Sequence, residues 1–226
     1  MEFDLHIHTN FSFDGTDAPE EIVDHAVKVG LRGIAITDHD STGAHEIALK
    51  HAGDNLVLIP AVEITLKFGD VIGYFFCETA VIGEEDKFAE LKLLSDLIRA
   101  AGGLVCLPHP NREQLAELEE NNLTGLFDIV EAFNARRHNL SNVLEFGGEP
   151  YIVDFAKKHG LCMTAGSDAH SADEVGSGRT IMPASTLQDV RHALVKKTTV
   201  LAGKKTGWVA DLFGRFKKDS PDNGDE

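Results

Sequence analysis

Short apolar runs alternate with amphipathic stretches along almost the whole of this chain, and that rhythm limits the folds open to it more than any other feature. Runs of strand length fall near residues 3–8, 33–38, 56–63, 71–76, 103–108, 127–133, 161–166 and 179–182, with a further one at 198–202. Helical periodicity fills the gaps near 19–29, 43–52, 84–101, 112–121, 149–159 and 186–197. Asp17, ahead of Ala18-Pro19-Glu20, reads as a cap for the first helix. Strands joined through helices imply parallel pairing with right-handed crossovers. About seven such units in a chain of this length suit a closed or nearly closed α/β barrel, in one domain, better than a wide open sheet. The segment from Gly214, GRFKKDSPDNGDE, is polar and aperiodic, which predicts a disordered tail over 214–226 and leaves 1–213 for the barrel. Just before it, WVADLFGRF reads as a short closing helix anchored by Trp208.

Charge narrows the partners. The sequence has 37 acidic against 21 basic residues, a formal charge of −16, which opposes broad attraction to nucleic acid or to anionic membranes. Bound divalent cations would reverse that sign locally. No segment has the apolar length of a membrane span, and MEFDLHIH lacks the basic and apolar regions of a signal peptide, so the expected location is cytoplasmic. The three cysteines sit in GYFFCE, LVCLPH and LCMTAG and show no C-x-x-C spacing. They read as reduced thiols in buried strands.

Chemistry enters at the strand ends. In FDLHIHTNFSFDG the period of two sends His6 and His8 to one side of the sheet, a spacing at which two imidazoles can hold one cation. On its own that pair could equally be a half-buried face. Recurrence decides: ITDHD carries His39, PAVEIT carries Glu63, CLPHP carries His109, and TAGSDAH carries Asp168 and His170. Each metal-capable side chain follows an apolar run, at the edge where such a barrel places its site. Imidazole and carboxylate without thiolate suit zinc, manganese or iron(II). Seven donors exceed the demand of one tetrahedral ion, so two or three divalent ions are expected, with Glu63 able to bridge through its two oxygens. Asp38 and Asp40 read as orienters of His39 or as turn formers, and His25, His45, His51, His138, His159 and His192 as solvated or structural.

With these residues in this order, the chain looks like a member of the polymerase and histidinol phosphatase (PHP) family, over His6 to about Met182. The resemblance implies a distorted TIM-like (β/α)7 barrel, a cluster of two or three metals and phosphoesterase activity. It further implies that His6, His8, Glu63 and Asp168 hold one ion, that Asp14, His39 and His170 hold a second, and that Glu63 and His109 contribute to a third. Asp14, in FSFDG, fills the slot where relatives carry a histidine or acid. In the strand after Glu63, relatives commonly place a histidine where FGDVIGYFF has Asp70, a harder donor that would weaken the third site and allow magnesium there.

Asn134 and Arg136, following the strand that ends near Phe133, are candidates for gripping phosphate, with Arg112 and Arg179 as alternatives. The expected reaction is in-line attack on phosphorus by a hydroxide bridging two metals, with Glu63, Arg136 and His170 in the catalytic set and His170 or His109 placed to protonate the leaving oxygen. The expected substrate is a small phosphorylated molecule, such as a phosphomonoester, a nucleotide or a very short oligonucleotide. Three other readings compete. One is an amidohydrolase-type C–N hydrolase, which normally bridges its metals with a strand-end lysine that this chain lacks. Another is an exonuclease on longer nucleic acid, which one Trp, two Tyr and the acidic balance disfavour. The last is a non-catalytic metal-stabilised binding module.

Overall fold

In the computed structural model, residues 1–79, 86–136 and 148–203 are described. They contain β1 (Glu2–Ile7), α1 (Pro19–Lys28), β2 (Gly33–Ile36), α2 (Ala44–Ala52), β3 (Val57–Leu66), β4 (Gly69–Tyr74), α3 (Lys87–Ala100), β5 (Leu104–Leu107), α4 (Arg112–Glu120), β6 (Ile129–Asn134), α5 (Pro150–His159), β7 (Cys162–Gly166), β8 (Gly178–Ile181), α6 (Leu187–Lys196) and β9 (Val200–Gly203). Every strand and helix expected from the periodicity is there. The expected tail, the closing helix at Trp208 and His138 lie outside the described residues.

The strands form one sheet in the order β7-β6-β5-β4-β3-β2-β1-β8-β9. The β7 end of the sheet comes round to β1: Ile7 bridges Ala169 just beyond β7, the His8 N–H donates to Ala169 O at 2.8 Å, and the Asp168 N–H donates to His6 O at 2.8 Å. Asp4, fully buried, ties the same seam by accepting from the Ser167 and Gly176 N–H groups at 2.9 and 2.7 Å. The result is a nearly closed, distorted α/β barrel.

The distortion corrects one expectation. Pairing is parallel for β1–β2, β2–β3, β5–β6 and β6–β7, but antiparallel for β3–β4, β4–β5, β1–β8 and β8–β9. Only Lys67 and Phe68 separate β3 from β4, too few residues for a crossover, so the chain must double back as a hairpin; Gly69 supplies the φ of 132° at its exit. A second correction concerns the first helix. Ala18 is its N-cap residue, with its N–H taken by the Glu21 carboxylate at 3.0 Å, while Asp17 accepts from the Ala172 N–H at 2.7 Å instead.

Alternation along the strands sorts side chains between two environments. Val62, Ile64 and Leu66 of β3, Val105 and Leu107 of β5, and Val130 and Ala132 of β6 pack with α3, α4 and α5. Ile59, Ala61, Cys106 and Ile129 turn the other way, into a cluster that also holds Tyr74. Glu63 therefore continues the Ile59–Ala61 row. Cys106 and Cys162 are buried free thiols, as expected, but Cys77 is exposed because β4 ends at Tyr74 before reaching it. Among the described residues, no helix is long and apolar enough to cross a membrane.

Candidate metal centre

The strand-end residues converge on one mouth of the barrel. His6 and His8 come from β1 and its exit, His39 from the exit of β2, where it bridges Glu63 of β3, His109 from the exit of β5, and Asp168 and His170 from the exit of β7. Asp14 folds in from the loop after β1. His109 and Asp168 have left-handed backbones, φ 29° and 54°, as does Asp40 at 50°. Such conformations cost about 1–3 kcal/mol each and persist where surrounding structure over-determines them.

Glu63 stands at the centre. Its Oε2 is 3.1 Å from His6 Nε2, 3.2 Å from His8 Nε2 and 3.7 Å from His39 Nε2. Its Oε1 turns the other way, 3.3 Å from His109 Nε2, and has no hydrogen-bond partner among the described residues. Asp168 Oδ1 lies 3.6 Å from His6 Nε2 and 3.3 Å from His8 Nε2. Asp14 Oδ2 lies 2.9 Å from His170 Nε2 and 3.6 Å from His39 Nε2. Within this array His6, Glu63 and His109 form one compact group of donors, His6, His8 and Asp168 a second, and His8, His39 and Glu63 a third.

Charge within the cluster opposes the effect of burial. Burial alone would depress both β1 imidazoles. The carboxylates outweigh it: Glu131, Glu63 and Asp168 raise His6 well above the usual histidine range, and Asp168 and Glu63 push His8 up to about 9. Conversely, burial raises Glu63, Asp168 and Asp14, and the facing imidazoles more than reverse it, holding all three carboxyls well below their ordinary values. A buried carboxylate that makes no hydrogen bond through one oxygen, among crowded imidazoles, is costly unless positive charge is shared across the group. Nitrogen and oxygen donors in this arrangement fit divalent zinc, manganese or iron(II).

Supporting residues fix the rings. His170 Nδ1 donates to Asp168 O at 2.8 Å, which leaves Nε2 facing Asp14. His39 Nδ1 pairs with Thr65 Oγ1 at 3.2 Å, and the exposed Phe13 ring stacks on its face at 5.0 Å. Asp38 and Asp40 tie the exit of β2 to its neighbours: Asp38 accepts from Thr9 N and Oγ1 beyond β1 at 2.6 and 2.7 Å, and Asp40 from the Thr65 N–H of β3 at 3.4 Å. Ser12 donates to Asp14 at 2.6 Å and accepts from the His39 N–H at 3.2 Å. Sequence reasoning missed Ser12 and Thr65, since hydroxyls are too common to stand out. It also missed Glu131, a 2% exposed carboxylate 3.1 Å from His6 Nδ1, whose charge inside an otherwise apolar strand was a usable signal.

Two expectations are not met in the form given. Asp70 pairs with Thr65 while Glu63 pairs with Ile72. It therefore faces the same side but stands two residues, roughly 7 Å, further out along the hairpin. Its acidic neighbour there is Asp40, and it joins none of the donor groups. Arg136 reaches the mouth, but its Nη1 is 2.8 Å from Glu174 Oε2, the same oxygen that accepts the His170 N–H at 2.8 Å. The Asn134 amide is likewise spent, on Glu131 and Asp168 at 2.9 and 3.2 Å. Of the alternatives, the Arg112 guanidinium stacks 4.2 Å over the Tyr151 ring, and Arg179 pairs with Glu2 at the opposite end of β1. His45, His51 and His159 are structural, on Ile36 O, Asp24 and Glu119.

Comparison with known proteins agrees with this geometry. An uncharacterized protein of Methanocaldococcus jannaschii is 29% identical over 184 residues, covering 78% of this chain and 68% of its own. The 5'-3' exoribonuclease Rnm of Escherichia coli is 46% identical over 66 residues, 28% of this chain and 22% of that protein. A two-domain protein from Bacteroides vulgatus, described as containing a predicted PHP-like metal-dependent phosphoesterase, superposes with a TM-score of 0.72 at 20% identity, over 96% of this chain and 69% of that one. The PHP domain model matches residues 4–146 and the PHP-associated model residues 152–199, and this chain thus belongs to the PHP family, whose members are metal-dependent hydrolases.

Proposed function

We propose that the protein hydrolyses a small phosphomonoester or a very short oligonucleotide, using two or three divalent ions held at the barrel mouth. The observation that carries this reading is Glu63, whose two oxygens face different sets of imidazoles, His6, His8 and His39 on one side and His109 on the other. His6, His8 and Asp168 would hold one ion, Asp14, His39 and His170 a second, and His109 with His6 a third, Glu63 being shared. Bound there, the ions supply Lewis acidity toward water and phosphate oxygens.

The protein's own groups supply the rest. The hydrogen bond from His170 Nδ1 keeps its Nε2 directed at Asp14, and Arg136 steadies that loop through Glu174. With the third position empty, His109, whose side chain is 28% exposed against 15% for His170, can supply the proton needed by the leaving oxygen. The strong net negative charge supports a compact substrate, because a long polynucleotide would be repelled outside the immediate site. The partial similarity to an exoribonuclease makes short oligonucleotides a natural second arm of the test.

The test is a panel of alkyl, aryl and nucleoside monophosphates, di- to pentanucleotides, long single-stranded RNA and an amide substrate, each with added manganese or zinc. Release of inorganic phosphate or cleavage of short oligonucleotides is expected. Preferential degradation of the long RNA or of the amide would overturn the proposal.

A further inference from the structure

Beneath the donor cluster, and outside every role so far assigned, lies the buried carboxylate of Glu131. Its Oε1 is 3.1 Å from His6 Nδ1, and its Oε2 accepts from the His109 backbone N–H at 3.0 Å and from Asn134 Nδ2 at 2.9 Å. The second hydrogen of that amide goes to Asp168 Oδ2 at 3.2 Å. One carboxylate thereby holds three residues of the centre, from the ends of β1, β5 and β7.

The backbone is shaped for this. Strand alternation would place Asn134 on the face opposite Glu131. The β6–β7 register slips between Glu131 and Phe133, with Glu131 opposite Thr164 but Phe133 opposite Ala165. That extra residue turns Phe133 to the outer apolar cluster, beside Gly203 of β9, and brings Asn134 round to the side of Glu131. Room for the pair comes from Gly166, where a Cβ would lie 2.4 Å from His6 Cβ and 2.6 Å from Glu131 Oε1.

We propose that Glu131, with Asn134 as its extension, is the positioning residue of the metal centre: it fixes His6 in the tautomer with the proton on Nδ1, so that the Nε2 lone pair faces Glu63 and Asp168, and it sets the reach of His109. Oε2 is taken by two N–H donors, and Oε1 of the carboxylate is left to accept from His6 Nδ1. The Nε2 lone pair of His6 is therefore directed at the site. Glutamine cannot substitute. With its amide nitrogen toward His6 it forces the other tautomer and covers the donor atom with a proton; turned round, it sets NH2 against the His109 N–H and the Asn134 amide.

This inference rests on the reading of the site as a metal centre, and its test reads metal and tautomer rather than turnover. The full chain, stripped with chelator, is titrated with zinc by calorimetry alongside Glu131→Gln and Asn134→Ala. In parallel, long-range proton–nitrogen correlations of 15N-histidine-labelled protein report the His6 tautomer. We expect Nδ1-protonated His6 in the zinc-loaded parent, and a 10–100-fold loss of affinity in Glu131→Gln at the positions using His6 and His109. Asn134→Ala should lose several-fold, and the ion held by Asp14, His39 and His170 should be unaffected in both. An Nε2-protonated His6 in the parent would overturn the proposal whether or not Glu131→Gln folds, as would parent-like zinc curves for Glu131→Gln or, should that variant not fold, for Asn134→Ala. A parent that binds zinc with Nδ1-protonated His6 yet hydrolyses no phosphoester would remove the proposed function and leave this inference standing.

Discussion

Replacing Gly166 by alanine tests the closeness of β1 to β7 on which the centre depends. The added methyl would meet His6 Cβ at 2.4 Å and the His6 nitrogen at 3.2 Å. Carbon atoms in ordinary contact sit about 3.5–4.0 Å apart, so β1 and β7 must separate by about 1 Å. Overpacking of this kind costs about 1–3 kcal/mol, and each kcal/mol lowers the melting midpoint of a domain this size by about 2–4 °C. The metal-free variant should therefore melt about 2–12 °C below the metal-free parent. The same shift carries His6 Nε2 away from its 3.1 Å approach to Glu63. Metal-induced stabilisation should fall too, by about 1.4 kcal/mol for every tenfold loss of affinity at saturating metal. Thermal unfolding of both chains with and without excess zinc measures the two effects separately. Coincident melting curves under both conditions would refute the packing described for this seam.

Protein purified without chelator should carry more than one equivalent of transition metal per chain by elemental analysis, and a single equivalent after incubation with excess zinc would contradict a multinuclear centre. Glu63→Ala and His39→Ala should abolish phosphoester turnover, whereas His45→Ala and His192→Ala should stay within a few-fold of the parent; similar losses in both pairs would mean the site is misplaced. Asp70→Ala should leave the metal titration superimposable on the parent's, because Asp70 stands one rung outside Glu63 on the hairpin. Burial pushes the Asp4 carboxyl up from 3.8 to about 6, against the pull of its bonds to Ser167 and Gly176. A folded value above the unfolded one means that the Asp4 contribution is full below about pH 3.8 and is lost as pH rises through about 6, a change of roughly 3 kcal/mol. Denaturant midpoints of Asp4→Asn should lack that part of the parent's decline between pH 4 and 7.

Much of the centre was legible because its ligands break an otherwise apolar pattern. Histidine or acid at the end of a hydrophobic strand is improbable without a purpose, so His6, His8, His39, Glu63, His109, Asp168 and His170 stood out, and the structure draws them together. Asp14 was placed by family resemblance, not by any local pattern. What escaped notice depends on pairing between strands, which local periodicity does not encode. The two-residue turn at Lys67-Phe68 reverses β4 and puts Asp70 at the rim, and the slip at Ala132 brings Asn134 to the side of Glu131. The ion pair of Arg136 with Glu174 joins segments 38 residues apart, and nothing in either segment announces it.

The seam between β1 and β7 also imposes an order on how the molecule is made. Ile7 must wait for Ala169, 162 positions later, before the C-terminal end of β1 is covered on its second edge, as its N-terminal end waits for β8. At synthesis rates of about 5–20 residues per second, the first strand spends roughly 8–32 s with that edge unfilled. Contacts this distant in the chain close late and slow the search for the native arrangement. During that interval an ion meeting the nascent chain finds His6 and His8 without Asp168 or His170. Completion of the donor set thus coincides with closure of the barrel.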